Sequence, residues 1–254
     1  MSDYIYGEFE KSYNELYKSL TRNASAGQSH RALFLGGQPG TGKSRIINKN
    51  DLPADYIVIN GDDYRKFHPN FKEISTYDIE NMATRTQEFV NQCIELLIHD
   101  LSDEGYNLVI EGTLRDPQVP VSTCRLLKDK GYNTDLVIMA TDATVSWQST
   151  IYRAELLKEL ELPPRLVPID KYNYIVNNLA DNVAAIEKAG CFDYIRVIDR
   201  NNKILFPNDR SISAASVIKE KLNLDKWNEM YKRTADEFLD AKIDIIQSRR
   251  KRSR

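Results

Sequence analysis

Eight consecutive residues, Gly37-Gln38-Pro39-Gly40-Thr41-Gly42-Lys43-Ser44, fit the pattern G-x-x-x-x-G-K-[ST]. Glycines at these positions let backbone N–H groups turn inward around nucleotide phosphates, and the amino end of the following helix adds positive potential. Lys43 is expected to reach the β- and γ-phosphates, and Ser44 to place its hydroxyl on Mg²⁺. All eight are therefore expected to contact ATP. Acids stand further along the chain at two matching points. Asp62 and Asp63 follow the apolar run Tyr56-Ile57-Val58-Ile59, and Glu111 follows Leu108-Val109-Ile110. A carboxylate at the first point can accept the proton of a hydroxyl attacking the γ-phosphate, or hold Mg²⁺ through water, whereas Glu111 resembles the acidic position that supports Mg²⁺ or a water in phosphate-loop enzymes. Gly61-Asp62-Asp63 also suits an ordinary turn. Of the two aspartates Asp62 comes first after the strand and is the inward-facing choice, with Asp63 its neighbouring alternative. Glu111, Thr113 and Arg115 put a carboxylate, a hydroxyl and a guanidinium on one strand-to-loop segment, and Arg115 could grip a phosphate or diphosphate bidentately or form a surface ion pair. Arg153 and Arg165, the latter after Pro163-Pro164, fall where a helical lid could bring positive charge to a transferred phosphoryl group, although each taken alone also suits a solvated charge.

These residues need a scaffold that gathers strand ends. Short apolar runs at Ala32–Leu35, Tyr56–Ile59, Leu108–Ile110, Leu136–Met139 and Tyr194–Ile198 alternate with helical patterns at Lys43–Asn48, Asp78–Leu101, Val121–Lys130, Thr144–Leu160 and Asp170–Ala189. The alternation predicts an α/β fold of the P-loop NTPase type. It has a mostly parallel sheet with helices on both faces, a helical lid or insert and C-terminal helices. Ile204-Leu205-Phe206 reads as a hairpin partner of the fifth strand. Ligands in such sheets sit beyond the carboxyl ends of the strands, where the singled-out residues fall. Phe9, Tyr13, Leu16, Tyr17 and Leu20 give residues 1–28 a helical stripe outside the sheet. The organisation expected is a kinase domain over residues 1–210 and a helical extension of the same domain over residues 211–254.

Composition narrows the function further. Of the 254 residues 41% are hydrophobic and 28% charged, which excludes a disordered chain. No run approaches the roughly 20 apolar residues needed to span a bilayer, and the first residues have no basic start followed by an apolar run, so neither a membrane anchor nor a signal peptide is expected. The net charge is −2, but five basic residues crowd into the last seven, SRRKRSR, leaving 30 basic against 37 acidic residues elsewhere. An acidic body argues against nucleic acid as the main ligand. Cys93, Cys124 and Cys191, an odd number without paired spacing, read as reduced thiols of a cytoplasmic protein, and three scattered histidines argue against a metal cluster. A guanine-reading Asn-Lys-x-Asp segment is absent, which argues against a GTPase.

Taken in order, several segments resemble the zeta toxin family of the epsilon/zeta and PezAT toxin–antitoxin systems. They are Leu35–Ser44, Gly61-Asp62 followed by His68-Pro69-Asn70, Gly105–Arg115, Val119-Pro120, Lys130-Gly131-Tyr132, Thr150-Ile151-Tyr152-Arg153 and Ile175–Asn182. The resemblance covers about residues 30–206. It implies an ATP-dependent kinase that phosphorylates the 3′ hydroxyl of the amino sugar of UDP-N-acetylglucosamine, blocks peptidoglycan synthesis, and is held inactive by an antitoxin covering the ATP site. By position it implies Asp62 as base, Lys43 as phosphate-loop lysine, Arg153 and Arg165 as phosphate clamps, and Glu95, Thr113, Arg115 and Thr123 as contacts to the nucleotide sugar. Leu166-Val167-Pro168 stands where the family usually has Ala-Thr-Pro. Two alternatives remain at this level: a phosphate-loop kinase of another small hydroxyl compound, such as another nucleotide sugar or an antibiotic, and a non-catalytic nucleotide-binding module.

Overall fold

The computed structural model describes residues 6–27, 29–48, 55–79, 81–162, 167–207 and 213–234. Arg165 with its two prolines, and the basic tail, lie outside them. Six strands form one sheet: β1 (Arg31–Gly36), β2 (Tyr56–Ile59), β3 (Asn107–Glu111), β4 (Asn133–Met139), β5 (Tyr194–Ile198) and β6 (Ile204–Phe206). Their order is β2-β3-β1-β4-β5-β6. The first five run parallel and β6 closes the edge antiparallel to β5, as the hairpin reading anticipates. The chain leaves β1 toward one edge of the sheet and β4 toward the other, so the order reverses at β1, where an open α/β sheet forms its ligand crevice.

Strands buried on both faces explain the continuous apolar runs: Leu108 and its neighbour Val109 are both fully buried although they point to opposite sides. The two faces are covered unequally. Phe34, Leu108, Leu136 and Ile138 belong to a large core with α1 (Tyr6–Thr21), α6 (Gln87–Asp103), α7 (Gln118–Asp129), α9 (Ile169–Ala189) and α10 (Ala214–Leu222). On the other side Leu35, Val109 and Met139 pack with Ile46 of α2 (Ser44–Asn48) in a small cluster. The element α8 (Ala143–Glu159) completes the connection from β4 to α9.

One expectation fails. The apolar stripe suggested a single helix over Asp78–Leu101, yet the chain forms α4 (Phe71–Tyr77), α5 (Met82–Arg85) and then α6. Asp78 leaves the helical region at φ −145°, and at the joint between α5 and α6 the Thr86 hydroxyl donates to Met82 O (2.7 Å). The carbonyl of Ala83 there accepts from the Arg65 guanidinium at 2.9 Å. Competition from local side chains for backbone partners breaks what periodicity alone would continue.

Beyond α10, residues 224–234 are helical. Trp227 there is fully buried, its ring 4.8 Å from that of Tyr172 and 6.0 Å from that of Trp147, and its indole N–H donates to Asn173 Oδ1 at 2.8 Å. This aromatic cluster fastens the C-terminal helix to α8 and α9.

Cys93 and Cys124 are fully buried, and burial pushes each thiol up to about 12, whereas Cys191 is half-buried. A thiol reagent at pH 7.5 is expected to titrate one cysteine rapidly in the folded protein and all three after denaturation, because only thiolate reacts. Rapid reaction of two or more native thiols would contradict this packing.

Candidate active site

The phosphate loop begins where β1 ends. Gly37 and Gly40 adopt φ +133° and +77°, in the left-handed region that L side chains avoid. A Cβ on Gly37 would lie 2.7 Å from Met139 O, and one on Gly40 only 2.1 Å from Ser146 O. The loop is thus pressed against the end of β4 and the first turns of α8. Gln38 secures that contact. It is fully buried, and its Nε2 donates to Thr141 O (2.7 Å) and Ser146 Oγ (3.1 Å). The Gln38 side chain therefore holds the loop from behind. Arg200, from the turn after β5, donates through Nη2 to Gly40 O (2.5 Å) and Ser149 Oγ (3.0 Å). Gly40→Ala is expected to cost roughly 2 kcal/mol or more of stability, since strain and clash add, and to weaken ATP binding. A melting curve together with nucleotide titration checks both.

Lys43 stands inside this loop, 7% exposed. Its Nζ donates to Gly37 O (2.7 Å) and Gln38 O (3.1 Å) and lies 4.0 Å from Glu111 Oε1. Glu111 arrives there by register: it pairs with Leu35, and Gly112 N donates to Leu35 O at 2.9 Å. Burial lowers the Lys43 pKa, an effect that Glu111 and Asp62 oppose and Arg153 reinforces. Burial raises that of Glu111, with Lys43 and Arg153 pulling it down and Asp62 and Asp63 pushing it up. Each of the four groups Lys43, Glu111, Asp62 and Arg153 thus lies within electrostatic reach of at least one of the others, although they come from the loop after β1, the ends of β3 and β2, and α8. Three buried oxygens of the loop and the facing strand end, Gln38 Oε1, Thr41 Oγ1 and Glu111 Oε2, have no hydrogen-bond partner among the described residues. A buried acceptor left so is costly unless a ligand completes it. The site fits phosphate and a divalent cation, with Ser44 Oγ and the Glu111 carboxylate as the hard oxygen donors Mg²⁺ prefers.

Asp62 lies not in a loop but in the first turn of a short helix, α3 (Gly61–Tyr64). Asn60 caps it, with Oδ1 accepting from Asp62 N at 3.1 Å. Gly61 permits close docking on α6, for a Cβ there would meet Val90 and Ile94 within 3 Å. The Asp62 carboxylate is 46% exposed and meets Arg65 at 3.3 Å. Asp63 is exposed on the same turn.

The remaining sequence-derived residues surround this centre more loosely. Thr113 is half-buried and Arg115 exposed on the loop after β3. That loop is shaped by Leu114, held at φ +54° and buried, and by Asn182 of α9, whose Nδ2 donates to Leu114 O and Arg115 O, both at 3.0 Å. Arg115 and Asp116 face Asp170, Lys171, Tyr174 and Ile175 across a cleft of about 470 Å³. Glu95 is exposed on α6, one residue from the Ile94 that packs on Gly61. Thr123 of α7 turns its hydroxyl back to Val119 O (2.9 Å). Arg65, Asn182 and Arg200 were not foreseen as positioning residues. Asn182 lies in a segment that carries the family resemblance, and Arg65 stands three residues after Asp62. Arg200 has no local signal, being 160 residues from its partner Gly40.

A match to the zeta toxin family spans residues 14–211. The chain belongs to the zeta toxin family. It is 32% identical over 235 residues to Toxin PezT of Streptococcus pneumoniae, covering 91% of this chain and 93% of that toxin. Toxin zeta of Streptococcus pyogenes is 33% identical over 221 residues, covering 85% and 77%. Among solved structures, that of the PezAT chromosomal toxin–antitoxin system of S. pneumoniae superimposes with a TM-score of 0.75 at 31% identity, covering 94% of this chain and 98% of the other. AvrRxo1-ORF1 in complex with AvrRxo1-ORF2 and ATP shares the fold, at a TM-score of 0.56 and 14% identity over 79% of this chain and 66% of that one. In this zeta toxin family member the phosphate loop follows β1, the strand at which the sheet order reverses.

Proposed function

We propose that the protein is the toxin of a toxin–antitoxin pair and acts as a kinase, transferring the terminal phosphoryl group of ATP to the 3′ hydroxyl of the amino sugar of UDP-N-acetylglucosamine. The observation that carries this reading is the grouping of Lys43, Glu111, Asp62 and Arg153 at the mouth of the phosphate loop. A switch that merely binds nucleotide needs neither an acid opposite the loop nor an arginine beside it.

ATP supplies the phosphoryl group; Ser44 and Glu111 would hold Mg²⁺, which when bound would offset part of the phosphate charge. Lys43, little exposed and little screened, stabilises the negative charge that grows on the transferring group. Arg153 adds a second positive charge from α8, and Arg165 a third by family position. Asp62 takes the proton of the sugar hydroxyl as its oxygen bonds to phosphorus, and the bond to the β-phosphate oxygen breaks with its electron pair going to ADP. Thr113, Arg115, Thr123 and Glu95 are the contacts assigned to the nucleotide sugar, with Arg115 at the rim of the open cleft toward α9. An antitoxin protein over the ATP site is the matching partner, supported by similarity to PezAT. A cytoplasmic setting follows from substrates made there.

Incubation with ATP, Mg²⁺ and a panel of UDP-sugars, read by mass spectrometry, tests the reading. One phosphate added to UDP-N-acetylglucosamine for each ADP formed is the expected result. Phosphorylation of a different sugar would reassign the substrate, and ATP binding without transfer to any hydroxyl would sink the kinase reading.

A further inference from the structure

Arg65 has a guanidinium whose five N–H groups are all in use. Nη1 donates to Ala83 O (2.9 Å) and Thr86 Oγ1 (2.7 Å), and Nη2 to Gln87 Oε1 (3.0 Å) and Asp62 Oδ1 (3.3 Å). Nε donates to Asp62 Oδ1 as well, at 3.3 Å. An arginine offers five donors and no more, so none remains for a phosphate or a sugar. The side chain is only 14% exposed, against 46% for Asp62. The anchoring acceptors all come from α5 and the joint into α6, so the fork is fixed by a different part of the chain from the one that carries Asp62. Both bonds to Asp62 fall on one oxygen, Oδ1. Among the described residues no hydrogen bond reaches Oδ2.

From this we infer that Arg65 is a positioning residue: it fixes the rotamer of the Asp62 carboxylate by holding Oδ1 and leaves Oδ2 turned out to receive the proton of the acceptor hydroxyl. The inference rests on the reading of Asp62 as the base. A half-exposed aspartate on a four-residue helix would otherwise sample several rotamers, of which few bring an oxygen within reach of the attacking hydroxyl. The same contacts account for the interruption between α5 and α6, since the broken helix presents the Ala83 carbonyl, the Thr86 hydroxyl and the Gln87 amide oxygen together to one guanidinium.

A double-mutant cycle on the full chain tests this, with transfer from ATP to UDP-N-acetylglucosamine as the assay. Arg65→Gln is expected to lower kcat roughly 10- to 100-fold with KM for ATP little changed. In an Asp62→Asn background the same substitution is expected to change the residual rate less than about two-fold, because its target is gone. Arg65→Lys keeps one charged donor and is expected to recover part of the loss. Should Arg65→Gln melt well below the wild type, Gln87→Ala replaces it. That variant removes one tether while keeping the guanidinium, and a kcat about three- to ten-fold lower at unchanged KM is expected. Equal losses in both backgrounds, or full activity of Arg65→Gln beside an inactive Asp62→Asn, would overturn the positioning role and leave the base intact. An Asp62→Asn enzyme that works at the wild-type rate would instead remove the base itself, and the inference with it.

Discussion

Lys43→Ala is expected to lose 10²- to 10³-fold in phosphoryl transfer, a penalty of about 3–4 kcal/mol typical of removing one charge-stabilising group from a desolvated site. The lysine is buried against the carbonyls of Gly37 and Gln38 and 4.0 Å from Glu111, so water can neither screen nor replace its charge. The same variant should carry a pH-dependent cost in stability. Glu111 already has a raised pKa from burial, and Lys43 is the strongest influence pulling it down. A carboxyl whose folded pKa exceeds its unfolded one contributes stability that is complete below the unfolded value and is lost as pH rises through the folded value. Without Lys43 that loss grows. The melting temperature of Lys43→Ala is therefore expected to fall further below wild type at pH 8 than at pH 5. A gap that is constant across this range would mean that Glu111 does not depend on Lys43.

Asp62→Asn is the second large effect. General-base assistance is worth typically about 10²- to 10⁴-fold, and the isosteric amide removes it while keeping size and hydrogen-bonding shape. Because the carboxylate is half exposed and the helix cap is made by Asn60 through the Asp62 backbone, stability is expected to change by no more than about 0.5–1 kcal/mol. ATP affinity should be unaltered, since the phosphate loop does not use this side chain. Expression of Asp62→Asn should accordingly be tolerated by a host that wild-type protein stops from growing. A toxic Asp62→Asn variant that still consumes ATP would refute the assignment.

Much of the site was readable in the chain because its parts are local. The phosphate loop is eight adjacent residues, Glu111 directly follows an apolar run whose β-branched content marks it as a strand, and Asp62 stands three residues past the end of another. Glu111 could be placed at a strand end before its partner was known. What could not be read were contacts that join distant segments. Nothing near Gln38 says that its amide turns to Thr141 and Ser146 instead of the loop interior, and nothing near Arg200 says that it reaches Gly40. The expected single helix over Asp78–Leu101 failed for the same reason, since Arg65 draws on the carbonyl of Ala83 from 18 positions upstream, on the far side of α4.

The sequence by itself determined the order of the strands along the chain, the phosphate loop and the family, because periodicity, glycine spacing and the residues after each strand are properties of neighbours along the chain. The tertiary structure decided which of the charged groups share one electrostatic site, how unequally the sheet's two faces are covered, and which oxygen of Asp62 is left open. These depend on strand register and on side chains meeting across 21 to 160 positions, where burial strengthens some charges and unsettles others in a way no local pattern encodes.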